Sequence, residues 1–450
     1  MIAASIGFLF SALLALTYTR RTLLGRPSIT LILFVALLAI HVIPMLVYLN
    51  YTGPETFIYE AALRPVDGDA VKARLLWAMA CMFIFVVAGS EFGFFVAPKK
   101  WRAKSRRANN GFEGSYKYTY IYEASTATRF VLWFIALLML AVILFENQPR
   151  VIFDYFASGG SELSKILMRR EEGGTKFYVY NVFLYSLAPF IVMVLSTLKR
   201  QRPGDLELRI LFVFFFVLVF IGKLGTLSKA PVVIFLLQFA FFRALLSTAR
   251  LNFWVWVRLL VFGLFMLTVV VKLTIPDIDL LDVYRFLYYR SFDIPNEGLL
   301  EFFAAFPHSL KHGWEYGIFG EGGRPANDLP TYFAVAELTR GDATSSSNVM
   351  FVGDAWAGYE WVGVIATSFL VGVTVRLIDL YAFRLGRSDE WACVIAAATF
   401  GVFTMLSTAF STSLVTGGLM LIPFVSALFV RRRPFSGVSN EVTQAKQGLL

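Results

Sequence analysis

The sequence predicts an all-α polytopic membrane protein, and its hydropathy and charge placement are the observations behind that prediction. Of its 450 residues, 57% are hydrophobic, and the mean hydropathy of +0.65 is far above that of a soluble domain. The apolar residues form long uninterrupted runs, unlike the alternating pattern of a membrane β-barrel strand. The net charge of +10 comes from basic clusters beside those runs, so we assign it to membrane topology and not to nucleic-acid binding.

About eleven runs approach the ~20 apolar residues with which a helix crosses the ~30 Å hydrocarbon core of a bilayer. Cys81 and Cys393 fall inside two of these runs, so the sequence predicts no disulfide framework and no metal framework. We predict membrane helices over Ile2–Tyr18, Ile29–Leu49, Leu75–Val96, Phe130–Phe145, Phe177–Leu198, Ile210–Ile221, Val232–Leu246, Phe253–Leu273, Met350–Val375, Trp391–Ser407 and Ser413–Val430.

Basic residues mark one side of the predicted membrane. More than half of the 41 Lys and Arg residues lie in alternate loops, at 20–26, 99–129, 199–209, 243–258, 376–387 and 431–446. Because cytoplasmic loops carry an excess of Lys and Arg, we expect the N-terminus outside and the C-terminus in the cytoplasm.

This topology divides the chain into four predicted parts. An N-terminal bundle of about eight helices covers 1–274, and about three membrane helices cover 349–433. Between them lies one large outward-facing loop, 275–348, which we expect to contain short helices. The polar tail, 434–450, lacks periodicity and is predicted to be cytoplasmic and disordered.

The large loop holds many of the polar groups that topology does not require. We expect short helices over Asp279–Arg290 and Asn296–Phe306, the second capped by Asn296, and a third near Asp328. His308 and His312 are four residues apart, but no third ligand has a suitable spacing, so no metal site is predicted. His308 is either a structural histidine or a general base that titrates near neutral pH.

The first of these helices combines aromatic and basic side chains. Leu281, Tyr284 and Tyr288 share one stripe, and Arg285 and Arg290 flank an aromatic surface. Guanidinium groups bind phosphate oxygens in pairs, and aromatic rings stack on sugars. Such a surface would fit a sugar linked to pyrophosphate, although tyrosines also mark a membrane interface.

Other outward segments carry further cations. Arg169 and Arg170 end a short amphipathic segment, where they either form a phosphate clamp or are solvated at the membrane surface. Lys229 lies at a helix start, whose free N–H groups suit an anion, although a lysine snorkelling to the interface would have the same position. Arg324, in the glycine-rich part of the large loop, is also a candidate for substrate binding.

Three stretches carry a family resemblance: TLSKAPVV (Thr226–Val233), LDVYRFLYYRSFDIPNEGL (Leu281–Leu299) and SSNVMFVGDAWAGYEWVG (Ser346–Gly363). They resemble the bacterial O-antigen polymerases, the Wzy-type polymerases of oligosaccharide repeat units. The general layout, about eleven helices with one large outer loop in the C-terminal half, is similar as well.

The resemblance implies a metal-independent, lipid-donor glycosyltransferase in the bacterial inner membrane, without a cofactor. It would transfer an undecaprenyl-pyrophosphate-linked glycan to a second lipid-linked repeat unit, building an O-antigen, capsule or exopolysaccharide. Membrane lipids, a chain-length regulator and a flippase are the other partners it implies. In this family the outward arginines are thought to hold pyrophosphate, which matches Arg169, Arg170, Arg285 and Arg290.

The identity of the catalytic base and the exact activity stay open at this stage. His308, Asp293 and Glu172 are the candidates for the group that takes the proton from the acceptor hydroxyl. An O-antigen ligase would share the layout and differ in its acceptor. A flippase or other transporter of lipid-linked oligosaccharide would carry charges along the inside of its bundle and have short outer loops. A purely structural partner of the export machinery would show no turnover.

Overall fold

A computed structural model describes residues 1–23, 27–50, 68–103, 120–121, 126–157, 177–227, 229–247, 253–274, 278–313, 331–341, 346–386, 388–429 and 433–434. This part of the chain is nearly all helical, which confirms the all-α fold class. Four predicted site residues, Arg169, Arg170, Glu172 and Arg324, lie outside the described residues, and so does the predicted tail after Pro434.

The described elements are almost all helices. In chain order they are α1 (Ile2–Leu23), α2 (Ile29–Leu37), a π-helical turn (Leu38–Val42), α3 (Ile43–Asn50), α4 (Gly68–Val96), β1 (Tyr120–Ile121), α5 (Thr126–Phe145), α6 (Gln148–Ala157), α7 (Tyr178–Val182), a π-helical turn (Phe183–Leu187), α8 (Ala188–Gln201), α9 (Leu206–Leu224), α10 (Lys229–Ser247), α11 (Phe253–Thr274), α12 (Leu280–Tyr288), a π-helical turn (Tyr289–Asp293), α13 (Ile294–Ala305), α14 (Thr331–Arg340), α15 (Phe351–Arg384), α16 (Asp389–Met405), α17 (Phe410–Val415), α18 (Leu421–Phe429) and β2 (Arg433–Pro434). The two short strands pair antiparallel.

Eight helical segments in the described part of the chain are long and apolar enough to cross a membrane. They are Ile2–Thr19, Ile29–Leu49, Gly68–Val96, Thr126–Phe145, Tyr178–Gln201, Ala230–Ser247, Trp254–Lys272 and Phe351–Arg384. Each overlaps one of the predicted runs, because length and apolar composition are local properties of the sequence. The chain therefore has the composition and helix lengths of a multi-pass membrane protein.

The remaining three predicted spans do not correspond to any of these eight segments. Helices α9 and α16 cover two of them, but neither is among the eight. The third, Ser413–Val430, was predicted as one helix, and this is wrong: the chain breaks between α17 and α18. Gly418 adopts a φ of +77°, and a Cβ on Gly417 would lie 2.8 Å from the Cα of Gly401. Glycine permits both this conformation and this approach, and both interrupt the helix.

The chain forms two compact units. The first comprises Met1–Ala103, Arg250–Tyr381 and Ala398–Met420. Within it α4 and α15 approach closely, since a Cβ on Gly372 would lie 2.1 Å from the carbonyl oxygen of Val86. Because glycine has no Cβ, the two backbones can approach this closely.

A carboxylate holds the start of α2 in the same unit. Asp379 of α15 accepts hydrogen bonds from the backbone N–H groups of Ile29 (2.6 Å) and Thr30 (3.1 Å). Ser28 caps the same helix end by accepting from the N–H of Leu31 at 3.1 Å. Three N–H groups that α2 itself cannot satisfy are thus bonded to side chains.

Helix α15 bends sharply near its start. Glu360 has a φ of +53° and a ψ of −136°, in a region that strongly favours glycine, and Tyr359 beside it is also non-helical. The bend brings the two parts of the helix together, since a Cβ on Gly363 would lie 2.1 Å from the carbonyl oxygen of Ala355. Glu360 is exposed and Asp354 is half-buried.

The second unit comprises Lys104–Ala249, Ala382–Ala397 and Leu421–Leu450. Its apolar core is built around α8 and α9, with Val192, Leu211 and Phe215 fully buried. Helix α9 begins after Asp205, whose carboxylate accepts from the N–H of Leu208 at 3.2 Å. Gln238 of α10 donates from Nε2 to the carbonyl of Ala397 at 2.9 Å, so a side-chain amide links α10 to α16 inside this unit.

Candidate functional site

The site is organised by α13, which the sequence predicted as a short helix of the large loop. Its existence is confirmed, but the expected cap is wrong: α13 begins at Ile294, with Pro295 in its first turn. All its residues from Asn296 to Ala305 are buried, so it is a core helix of the first unit. A surface loop would not bury this much apolar surface, and the polar residues of α13 must therefore be satisfied by neighbours.

Helix α12 leads into α13 through the π-helical turn Tyr289–Asp293. Val283 and Leu287 are the buried residues of α12 and pack against Val271 of α11. The predicted stripe of Leu281, Tyr284 and Tyr288 is exposed. The sequence assigned the stripe to the correct helix. The side chains that face the protein are instead Val283 and Leu287, because α11 packs against their side of α12.

Two buried carboxylates lie on one face of α13. Glu297 is 3% exposed and Glu301 is 1% exposed, and their spacing of four residues places them one above the other. Neither carboxylate can be ionised at low energy in this environment without a partner. Their surroundings differ, and that difference defines the chemistry of the site.

Glu301 is compensated by a cation. Arg340, the last residue of α14, donates to both its oxygens, from Nε at 2.7 Å and from Nη2 at 2.9 Å. Ser347 also donates a hydrogen bond to Glu301 Oε2. This two-point guanidinium contact is the geometry that best stabilises a buried carboxylate.

Glu297 has weaker support. The Tyr289 hydroxyl donates to its Oε2 at a long 3.4 Å. Burial raises the pKa of Glu297 to about 7, with help from the negative charge of Glu301 and against the opposing effect of Arg340. Near neutral pH this carboxyl is therefore divided between its protonated and ionised forms, which is what a general acid or base requires.

Asn296 anchors this end of α13 to the π-helical turn Leu38–Val42. Its Oδ1 lies 2.9 Å from Nδ1 of the fully buried His41, and its Nδ2 donates to the carbonyls of Ile40 (2.9 Å) and Phe292 (2.6 Å). The amide is thus a tether between two segments of the first unit, whereas the sequence had assigned it to a helix cap. It fixes the rotation of α13 and hence the direction of Glu297.

The π-helical turn beside α13 connects Glu297 to the protein surface through Tyr289. Tyr289 is 40% exposed, although its hydroxyl contacts the buried Glu297. Asp293, at the end of the turn, is half-buried, and its burial raises its pKa above the usual range. Turns of this kind widen a helix by one residue and recur at functional sites.

The structure brings two of the predicted site residues to this turn. Asp293 and Arg290 both belong to it, and the Arg290 guanidinium lies 5.5 Å from the centre of the Phe286 ring. Arg285 lies on α12 with its side chain 71% exposed, and it pairs with Asp282 at 3.1 Å. An exposed pair of this kind is weak and leaves the guanidinium available to a ligand.

His308 lies beyond the other end of α13, which is about 12 Å from Glu297 along the helix axis. It is exposed, and its Nε2 is 3.5 Å from Nη1 of Arg74. His312 is half-buried and stacks on Phe306, with ring centres 5.7 Å apart. The structure therefore does not bring His308 to the carboxylate pair.

Lys229 is the first residue of α10, as the sequence predicted, and its side chain lies outside the described residues. Among the side chains that are described, no three His, Cys, Asp or Glu residues converge as metal ligands would.

Sequence reasoning missed Glu297 and Glu301 as members of the site. A signal was present, because two acids four residues apart interrupt the apolar run that contains Leu299 and Phe303. Acids on the apolar face of a short helix are expensive to bury and indicate a partner. Arg340 lies 39 residues from Glu301, and no spacing rule links residues at that distance.

Comparison with protein-family models, with curated proteins and with solved structures finds no match for this chain.

Proposed function

We propose that the chain is a membrane glycosyltransferase that polymerises undecaprenyl-pyrophosphate-linked repeat units, with Glu297 as general base. The single observation that supports this most is the buried Glu297 carboxyl, which has a pKa raised to about 7 and contacts the hydroxyl of the exposed Tyr289, in the same turn as Arg290. Proton removal from a sugar hydroxyl needs such a base, and a departing diphosphate needs cations.

In the proposed reaction the ionised Glu297 takes the proton of the acceptor hydroxyl. The acceptor oxygen forms a bond to the anomeric carbon of the donor as the bond from that carbon to the diphosphate oxygen breaks. Undecaprenyl diphosphate leaves with the electron pair, held by Arg290 and Arg285. Arg169, Arg170, Lys229 and Arg324 stay sequence-based candidates for substrate binding.

Glu297 is a better-supported base than the residues chosen from sequence. His308 is remote from the buried acids, and its Nε2 lies 3.5 Å from Nη1 of Arg74. Asp293 lies nearby and is a candidate for orienting the acceptor. Glu172 stays a sequence-based candidate.

The test is polymer formation by purified protein with undecaprenyl-pyrophosphate-linked repeat units. We expect Glu297→Gln to lower the rate by about a hundredfold or more, since general bases contribute about that much. The wild-type rate should rise with pH and reach half its maximum near pH 7. Glu337→Gln, which removes an exposed acid from α14, is the matched control and should leave the rate unchanged. Normal polymer from folded Glu297→Gln would disprove the role of this residue.

A transporter or flippase of lipid-linked oligosaccharide is the second candidate. Charges buried inside a unit were the sequence criterion for it, and Glu297, Glu301 and Asp379 are buried in the first unit. Reconstituted vesicles separate the two functions: a transporter moves the lipid-linked glycan between leaflets without lengthening it. A ligase would be recognised by consumption of a lipid A core acceptor in place of a second repeat unit.

We also propose the full topology of eleven passes, with α9, α16 and the α17–α18 pair completing the count. The N-terminus would then lie outside the bacterial inner membrane, the C-terminus in the cytoplasm, and 275–348 outside. Eight passes would put both termini on one side. Reporter fusions at the two termini distinguish these outcomes, because an odd number of passes requires opposite sides.

A further inference from the structure

An apolar groove runs along the outside of α9 in the second unit. It has a volume of about 420 Å³ and is lined by Arg209, Ile210, Val213, Phe214 and Val217. Ile210, Val213 and Val217 are each about half exposed, as side chains that face lipid would be. The groove therefore offers a hydrocarbon chain a concave surface, where the rest of a helix face would be convex.

A second hollow continues this groove at its charged end. It has a volume of about 430 Å³ and is lined by Lys199, Pro203, Arg209 and Val213. Arg209 and Val213 line both hollows, so the two form one continuous depression. One end is apolar, and the other lies between two basic side chains.

The acids at this end of the unit are already paired with other cations. Arg129 contacts Asp205 and Glu207, each at 2.5 Å. Arg200 contacts Asp389, also at 2.5 Å. Within the described residues, these pairs leave no carboxylate within ion-pair distance of the two basic residues that line the hollow.

Those two residues keep an excess of positive charge at the depression. The Lys199 ammonium lies 4.3 Å from the centre of the Phe212 ring, and Arg209 donates to the carbonyl of Pro203. Neither contact neutralises a charge. The two contacts hold the Lys199 and Arg209 side chains beside the hollow, so both cations face the same small volume.

The length of the groove along α9 is close to the thickness of one leaflet of a bilayer. The membrane segment Tyr178–Gln201 ends beside Lys199, so the cations lie at the level of lipid headgroups. From Arg209 to Val217 the helix rises about 12 Å, close to the ~15 Å of hydrocarbon in half a bilayer. A phospholipid with one acyl chain in the groove would thus have its phosphate beside the two cations.

We propose that this depression binds one anionic phospholipid, with its phosphate between Lys199 and Arg209 and an acyl chain along Val213 and Val217. Charge complementarity selects this occupant over a zwitterionic lipid, whose own ammonium would meet the same two cations. The site depends only on membrane insertion and is independent of the proposed glycosyl transfer.

Native mass spectrometry of the full chain in detergent tests the proposal, with phosphatidylglycerol and phosphatidylcholine of identical acyl chains as probes. We expect one phosphatidylglycerol to stay bound where phosphatidylcholine dissociates. Lys199→Ala/Arg209→Ala should weaken phosphatidylglycerol binding by about thirtyfold, given the attraction of each cation near a lipid surface. Arg150→Ala/Lys311→Ala, which removes two exposed cations elsewhere, is the control and should bind like wild type.

A second pair of variants tests the apolar end. Val213→Trp should fill the groove and displace the lipid, whereas Leu137→Trp, at an equally exposed position on α5, should not. Lys199→Arg/Arg209→Lys keeps both charges and should restore binding, which separates loss of the site from loss of folding. Equal retention of the two lipids by wild type would overturn the proposal. So would wild-type phosphatidylglycerol binding by folded Lys199→Ala/Arg209→Ala.

Discussion

Replacing Glu297 by glutamine should stabilise the protein above neutral pH, although it removes the proposed base. Glutamine has nearly the same shape, carries no charge, and can still accept the Tyr289 hydroxyl hydrogen bond. The wild-type carboxyl is only 3% exposed, so its ionisation above neutral pH lowers the free energy of unfolding. A residue retained for chemistry against its own stability would behave in this way.

The magnitude follows from the pKa of the group in the two states. The carboxyl has a pKa of 4.5 when unfolded and about 7 when folded, so the folded state holds its proton more tightly. Stability from this group is complete below pH 4.5 and is lost as the pH rises through 7. At 1.36 kcal/mol per pH unit, the loss at alkaline pH is about 3 kcal/mol, and Glu297→Gln should recover up to that amount.

The assay is unfolding of wild type and variant in detergent micelles, followed by circular dichroism at about pH 4.5 and about pH 8. The difference between the two proteins isolates Glu297 from other titrating groups. Glu337→Gln, at an exposed site, should change the free energy of unfolding by less than about 0.5 kcal/mol at either pH. A difference that is the same at both pH values, or a Glu297→Gln variant less stable than wild type at the higher pH, would refute the reasoning.

Three further outcomes are expected from unfolding in micelles. Arg340→Leu should lower the free energy of unfolding by about 3 kcal/mol or more, because it leaves a buried carboxylate without its cation. Arg285→Leu should lower it by less than about 0.5 kcal/mol, because the ion pair of Arg285 is exposed. Gly372→Ala should cost about 1–3 kcal/mol, since its Cβ would strike the backbone of α4, whereas nothing surrounds a Cβ at Gly204. Asp379→Ala should lower the free energy of unfolding by about 1–2 kcal/mol, because it removes the two hydrogen bonds that cap α2. A variant as stable as wild type would contradict this role of Asp379.

The helices were predictable because their signals are local. Gly68–Val96 and Thr126–Phe145 are apolar along their whole length, and no tertiary contact is needed to recognise them. Even α12, α13 and α14, in a polar interruption of the sequence, were predictable as short helices from their caps, stripes and prolines. The break between α17 and α18 was missed because the apolar run continues past Gly417 and Gly418, although glycines are a local signal for the end of a helix.

The candidate site was predictable only in part. Arg290 and Asp293 could be chosen because exposed cations and acids in a loop are candidates for binding. Glu297 could not be ranked above His308, because its advantage comes from burial, which is decided by the fold. By residue type alone histidine is the usual choice of base; in the fold, burial and the neighbouring Glu301 carboxylate raise the pKa of Glu297 to about 7.

The sequence by itself determined the all-α class, the apolar segments and the position of most helices, because hydrophobicity and helix signals belong to short stretches of chain. Only the tertiary structure decided which polar groups share a site. Asn296 meets His41 across 255 residues, and Arg340 meets Glu301 across 39. Such partners are selected by the packing of helices, and packing depends on shapes that meet only after the chain has folded.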